Sequence, residues 1–250
     1  MTTFLLDEHG VLLPGAGLPL TDRGFRYGMS VFETIGIRAR ASLLLDPHLA
    51  KLAGSAAAAK FEPPAGWEEI VHARLLAPPI DEGVARIYVT AGDHDGAESR
   101  IALLFEEMPI PTEPGRARAV TVDFTPVTPF GKTGCYWPHF LARPGSGEEA
   151  ILCAPDGRLL GGAMANLFLI RDGRLLTPRE PVRRGVVRDW IGGEEANLMR
   201  DDLSRADAAF LTNSRIGVLT LTHIDGRELP GNSLVETIWQ RYRAEVLRAR

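Results

Sequence analysis

The sequence predicts an α+β protein of two domains, a smaller N-terminal α+β domain over residues 1–113 and a larger C-terminal domain over 114–250 rich in antiparallel strands. Three observations carry this prediction. The first hundred residues mix β-branched runs with two amphipathic stretches. The segment from Met108 to Arg116 then holds three prolines and a glycine with little apolar material, which marks a linker. Beyond it, Asp156-Gly157, Asp172-Gly173 and Asp225-Gly226 each separate short apolar runs, the strongest local signal for a hairpin.

The elements follow in order. The first apolar run breaks at Asp7 to Gly10 and reads as a hairpin, and Ser30 to Ile37, rich in Val, Phe, Thr and Ile, reads as a strand. Asp46 followed by Pro47 starts a helix, the carboxylate as cap and the proline at the first helical position, with Leu49, Leu52, Ala53 and Ala56 on one face. That helix stops near Lys60, ahead of Pro63 and Pro64. A second helix covers Trp67 to Leu76, and strands at Ala85 to Thr90 and Ile101 to Phe105 complete the first domain. In the second domain, helices follow Arg184 and Ser233, the last with a capping box of Ser233 and Glu236 and an apolar stripe at Val235, Ile238, Trp239, Tyr242 and Val246.

Composition narrows the function. The 250 residues carry a net charge of −4 with no dense Lys/Arg block, so nucleic acid and anionic membranes are poor partners and a small molecule is the better one. The apolar runs fall far short of the roughly 20 residues of a spanning helix, and the cytoplasm is the expected location. Cys135 and Cys153 have neither metal-knuckle nor disulfide-framework spacing, so no metal is expected.

Lysine is scarce: Lys51, Lys60 and Lys132 are the three among 28 basic residues. Lys60 stands at a helix C-terminus, where the dipole accounts for it. Lys51, one turn after His48, reads equally as a solvated flank or an anion ligand. Lys132, within Gly131-Lys132-Thr133-Gly134-Cys135-Tyr136, follows a strand and opens an apolar aromatic segment; desolvated there it is a nucleophile for a carbonyl, and otherwise it is a surface lysine on a turn. Gly185 feeds a helix whose first N–H groups can take a phosphate, and Thr212-Asn213-Ser214 ends an apolar strand with further donors. A lone nucleophilic lysine and two phosphate-type turns together describe pyridoxal 5′-phosphate, an aldehyde cofactor with a phosphate handle.

On these residues the chain resembles the class IV pyridoxal-phosphate enzymes, the family of branched-chain and D-amino-acid aminotransferases and of 4-amino-4-deoxychorismate lyase. The carriers are Asp22-Arg23-Gly24-Phe25-Arg26-Tyr27-Gly28, Val31-Phe32-Glu33-Thr34, Pro47-His48-Leu49-Ala50-Lys51-Leu52, Lys132 with Tyr136, Asn166-Leu167-Phe168, Thr177-Pro178, Gly185-Val186-Val187-Arg188 and Thr212-Asn213-Ser214. The resemblance implies the two-domain fold type IV, as in D-amino-acid aminotransferase, and a homodimer. It implies that Lys132 forms the internal aldimine and shuttles the substrate α-proton. Tyr136 would stand near the cofactor's phenolic oxygen. Lys51, Gly185, Val186, Val187 and Ser214 would hold the cofactor, and Phe25, Tyr27, Phe32 and Glu33 would line the substrate side.

Three positions depart from the family pattern. Gly161 stands five residues before Asn166, where the family has the glutamate that keeps the pyridine nitrogen protonated. Lys51 replaces an arginine, so a bidentate fork becomes a point charge, and Val187 replaces a threonine and offers only its backbone N–H. The resemblance therefore implies an aminotransferase or a lyase acting on an amino-bearing carboxylic acid. The alternative, motivated by Gly161, is a catalytically weakened or cofactor-independent relative with a ligand-binding or regulatory role. A carboxylate restored by Gly161→Glu is expected to raise transaminase activity if the missing ring partner limits the reaction.

Overall fold

The computed structural model describes residues 1–7, 10–126, 132–179 and 182–248. The chain divides into two compact units, Met1–Ile110 with Thr128–Tyr136 and Leu247–Arg250, and Pro111–Val127 with Trp137–Val246. The first crossing, at Ile110 to Pro111, lies inside the expected linker. The segment Thr128–Tyr136, expected with the second domain, groups with the first unit. Its described part is held there by backbone pairing: Phe32 N–H donates to Lys132 O at 2.8 Å, Gly134 N–H donates to Ser30 O at 2.8 Å, and Val31 bridges Thr133.

The first unit contains β1 (Thr2–Leu6), β2 (Leu12–Pro14), α1 (Arg23–Tyr27), β3 (Ser30–Arg38), β4 (Ala41–Ser42), α2 (Leu45–Ala58), α3 (Trp67–Leu76), β5 (Glu82–Thr90) and β6 (Ile101–Glu107). Its strands form one antiparallel sheet in the order β2-β1-β6-β5-β3-β4. One face is covered by the two long helices. Leu45, Leu49, Leu52 and Ala56 of α2 and Trp67, Val71 and Leu75 of α3 pack on Val31, Ile35, Ile37, Ile87, Val89, Leu103 and Phe105. Each Leu, Ile, Val or Phe side chain among them contributes about 1.5–3 kcal/mol on leaving water. Because strand side chains alternate between faces, Phe32 and Thr34 of β3 must point away from this core.

The start of α2 differs from the expected one. Leu44, in the left-handed region at φ 53°, precedes the helix with no side-chain cap, and the Asp46 carboxylate reaches His72 Nε2 of α3 at 3.0 Å instead. The expected Asp46 cap is therefore wrong, because the helix starts one residue ahead of it and its carboxylate ties α2 to α3.

The second unit contains β7 (Gly115–Asp123), α4 (Trp137–Leu141), β8 (Glu149–Cys153), β9 (Leu159–Gly162), β10 (Asn166–Arg171), β11 (Arg174–Pro178), α5 (Val186–Ile191), β12 (Glu194–Ala196), a 3-10 turn at Arg200–Arg205, β13 (Ala208–Asn213), β14 (Gly217–Ile224), β15 (Arg227–Glu228) and α6 (Ser233–Glu245). Its sheet runs β12-β11-β10-β13-β14-β7-β8-β9, with β15 on β14. Antiparallel pairs predominate, while β7 pairs parallel with β14 and β8, and β11 pairs parallel with β12. Strand β7 begins at Gly115, so the expected linker already enters the sheet at its last two residues. Two of the Asp-Gly pairs form two-residue hairpins with both residues at positive φ, Asp172 and Gly173 at 52° and 72° and Asp225 and Gly226 at 49° and 81°. Helix α6 is capped by Asn232, which accepts from Leu234 N–H at 2.9 Å, so Ser233 is its first residue and not its cap. No described helix is long and apolar enough to cross a membrane.

Candidate active site

The first unit places Lys132 on the face of its sheet opposite α2 and α3. The Lys132 amine donates to Thr34 Oγ1 at 2.7 Å and stands 4.5 Å from the centroid of the Phe32 ring. Phe32 is itself fixed, stacked on its cross-strand partner Tyr88 at 5.2 Å and meeting Tyr136 edge-on at 5.4 Å. Lys132, Phe32 and Tyr136, three of the residues singled out from the sequence, are thus brought together, with Thr34 and Tyr88 completing the group. Burial pushes the Tyr88 phenol above its usual range, against the opposing pull of Arg86, so this ring stays neutral at physiological pH.

Tight glycines let the lysine segment approach. A side chain on Gly134 would begin 2.4 Å from Ser30 Oγ and 2.9 Å from Gly28 O, and Gly28 itself turns at φ 69°. Helix α1 is anchored beside it by Asp22, which is fully buried and accepts from Gly24 N–H at 2.7 Å, Thr90 Oγ1 at 2.8 Å and Arg100 Nη1 at 2.9 Å. The Asp-Arg-Gly motif is therefore a structural anchor for the turn that carries Phe25 and Tyr27. Both of those rings lie largely in solvent, at 64% and 56% exposure.

Glu33 goes elsewhere. It alternates with Phe32 and Thr34 along β3, and its carboxylate shares a 2.8 Å hydrogen bond with His48 Nδ1 on α2, both groups being buried. It lies on the opposite side of the strand from the lysine. Lys51 follows His48 by three residues on α2, part-buried, and its carbonyl accepts from Ser55 Oγ at 2.9 Å.

The second unit assembles the other residues. Strand pairing sets Asn166 directly opposite Thr212, and Gly185 lies against Asn166 so closely that a side chain there would begin 2.2 Å from its Oδ1. Asn166 Nδ2 donates to Arg183 O, and Asn213 holds the following turn, Oδ1 accepting from Arg215 and Ile216 N–H at 2.9 Å each. Gly185 and the turn carrying Ser214 are thus joined through Asn166. Val186 and Val187 open α5 with buried side chains and no side-chain cap, which leaves backbone N–H groups as what that turn offers. Arg188 is buried behind it, donating to Thr177 Oγ1 at 3.1 Å and Pro178 O at 2.8 Å. His139 of α4 meets the Phe124 ring at 4.7 Å with the planes tilted by 55°; burial and then the Arg183 charge hold its imidazole below the ordinary range and so neutral at pH 7.

Gly161 sits opposite Leu152 in β9, at a register shift between β8 and β9, with φ 129° and a hypothetical Cβ only 3.2 Å from Ala165 O. It supplies no carboxylate, and its backbone disfavours any residue that could. Taken unit by unit, the residues present suit the chemistry of pyridoxal 5′-phosphate, the first unit offering an amine on an aromatic face and the second an uncapped helix start beside a polar turn. They leave out the usual partner of the ring nitrogen. No cluster of metal-ligating side chains occurs among the described residues.

Sequence reading missed Thr34 and Tyr88 as members of the lysine group, and His48 as the partner of Glu33. The alternation of β3 signalled the first, since Thr34 must share the face of Phe32. Tyr88 becomes visible only with the register of β5.

Fold and site define a class. Residues 30–224 match the family described as amino-transferase class IV, and the chain belongs to that family. It is similar to a Methanocaldococcus jannaschii protein provisionally named a branched-chain-amino-acid aminotransferase, 27% identical with 88% of this chain and 87% of that one covered. It is also similar to the bifunctional aminodeoxychorismate lyase / D-amino acid transaminase of Mycobacterium tuberculosis, 23% identical over 88% of this chain and 91% of its relative. Among solved structures, the branched-chain aminotransferase of Thermoproteus uzoniensis with norvaline superposes with a TM-score of 0.85 at 22% identity, covering 97% of this chain and 93% of that one. The chain is an enzyme of the pyridoxal-phosphate-dependent class IV group, which spans transaminases and lyases.

Proposed function

We propose that this enzyme binds pyridoxal 5′-phosphate through Lys132 and acts on an amino-bearing carboxylic acid, as an aminotransferase or as a 4-amino-4-deoxychorismate lyase-like enzyme. The observation that carries the reading is the placement of Lys132, its backbone paired to β3 and its amine held between Thr34 and the Phe32 ring. When bound, the cofactor supplies an aldehyde for amines and a ring that draws charge from the substrate α-carbon. Lys132 would anchor it, and the Lys132 amine would take up the substrate α-proton as general base. The backbone N–H groups from Gly185 to Val187, the Ser214 hydroxyl and the Lys51 cation would hold the phosphate, and Tyr136 would stand by the phenolic oxygen. Phe32, with Phe25 and Tyr27, would exclude water from the substrate. Glu33, turned to His48, supports the strand from behind and does not line the substrate side.

We further propose a homodimer. The exposure of Phe25, Tyr27, Trp137 at 70% and Leu141 at 66% leaves apolar surface that a second copy would cover; a sedimentation mass of one 27.3 kDa chain would contradict it.

The assay supplies cofactor and follows two outputs, keto-acid formation from amino-acid donors and aromatic product from 4-amino-4-deoxychorismate. The reading expects at least one in the native protein and neither in Lys132→Ala. Turnover surviving in that variant overturns it.

A further inference from the structure

On the face of the first sheet away from α2 and α3, Lys132 is paired with the Thr34 hydroxyl. We propose that Thr34 is a positioning residue for Lys132, its hydroxyl holding the amine over the Phe32 ring in a pose that serves both the charged and the neutral amine. The proposal rests on Lys132 being the reactive amine.

The geometry follows from strand physics. Phe32 and Thr34 are two residues apart on β3 and therefore share a face. The Lys132 carbonyl accepts from Phe32 N–H at 2.8 Å, which fixes the lysine backbone alongside that strand, and the side chain then lies over the ring to reach Thr34 Oγ1 at 2.7 Å. Neither partner can drift. The Phe32 ring is held by Tyr88 and Tyr136, and a β-branched threonine has restricted rotation about its first side-chain bond.

The chemistry of the partner matters as much as its position. A carboxylate beside Lys132 would hold it as an ammonium, which cannot attack a carbonyl. A hydroxyl accepts from an ammonium and donates to a neutral amine, so it keeps the nitrogen in place through the loss of its proton. Among the described residues, the charged or titratable groups on this face include Arg86, opposite Thr34 across the β3–β5 pairing and ion-paired with Glu106, Tyr88 and Tyr136 beside Phe32, and the pair Arg38 and Glu82 at the far end of the two strands. The Phe32 face and the Thr34 oxygen both attract the ammonium form, and removal of the hydroxyl takes away the second contribution.

The scarcity of lysine makes the test internal. Cofactor-free protein is treated with limiting acetic anhydride across a pH series, and acetylation of the Lys132 peptide is read by mass spectrometry against the Lys51 and Lys60 peptides of the same sample. Thr34→Val should raise the Lys132-to-Lys60 ratio severalfold at neutral pH and move the Lys132 profile to lower pH. Thr34→Ser should restore the native profile, and Thr34→Ala, which avoids adding a methyl group in place of the hydroxyl, should behave as Thr34→Val does. A ratio that stays unchanged or falls in both the Val and Ala variants overturns the proposal. Borohydride labelling of native protein with pyridoxal phosphate separates the two readings. No label on Lys132 with a responsive acetylation profile removes the cofactor reading and leaves the Thr34 contact standing, whereas a label on Lys132 with an indifferent profile removes the positioning role alone.

Discussion

Gly161 is the residue at which this chain parts from its family pattern, and its backbone explains why a single substitution will not reverse the change. At φ 129°, beside the β8–β9 register shift, the position suits glycine, and strain of this kind costs about 1–3 kcal/mol for other residues. Gly161→Glu should therefore lower stability by about that amount in urea denaturation and leave turnover no higher; a variant as stable as the native protein with raised transaminase activity would show that the carboxylate alone was missing. The expectation from sequence, a gain on Gly161→Glu if the missing ring partner is limiting and the side chain fits, did not contain the dihedral angle that decides the fit. Other residues were more legible. The scarcity of lysine pointed to Lys132, and the aromatic segment after it pointed to a ring-lined face. Glu33, expected on the substrate side with the rest of its motif, is separated from Phe32 by alternation along the strand and pairs with His48 instead.

At the scale of elements, the strands and long helices were legible because each has a strong periodic pattern, while the ends were set by contacts no local pattern contains. Asp46 carries the chemistry of a helix cap, yet its carboxylate is engaged by His72 on α3, and Leu44 in the left-handed region begins α2 instead. The β3–β4 turn is the clearest miss. Ala39 and Arg40 occupy both central positions at φ 47° and 60°, a conformation that favours Asn-Gly, and nothing in Arg38-Ala39-Arg40-Ala41 announces it. These residues are held by the strands on either side at a cost of about 1–2 kcal/mol each. The double substitution Ala39→Asn with Arg40→Gly should stabilise the protein by roughly 1 kcal/mol or more, even with loss of the exposed Arg40–Asp81 pair, since surface pairs contribute little. A lower urea midpoint would contradict the strain argument.

Across the whole molecule, the chain forms two compact units, neither of which is one continuous stretch of sequence. A linker rich in proline was readable, and the first crossing falls within it. The return of the Lys132 segment to the first unit was not readable, because it depends on backbone pairing with β3 across a hundred residues of chain. The same molecule carries three lysines in 250 residues, so a covalent amine adduct can be assigned with little ambiguity. The most direct measurement is therefore borohydride reduction of the protein with added pyridoxal phosphate, followed by peptide mapping. The account predicts one fixed label, on the peptide containing Lys132; a label confined to Lys51 or Lys60, or no label at all, would contradict it.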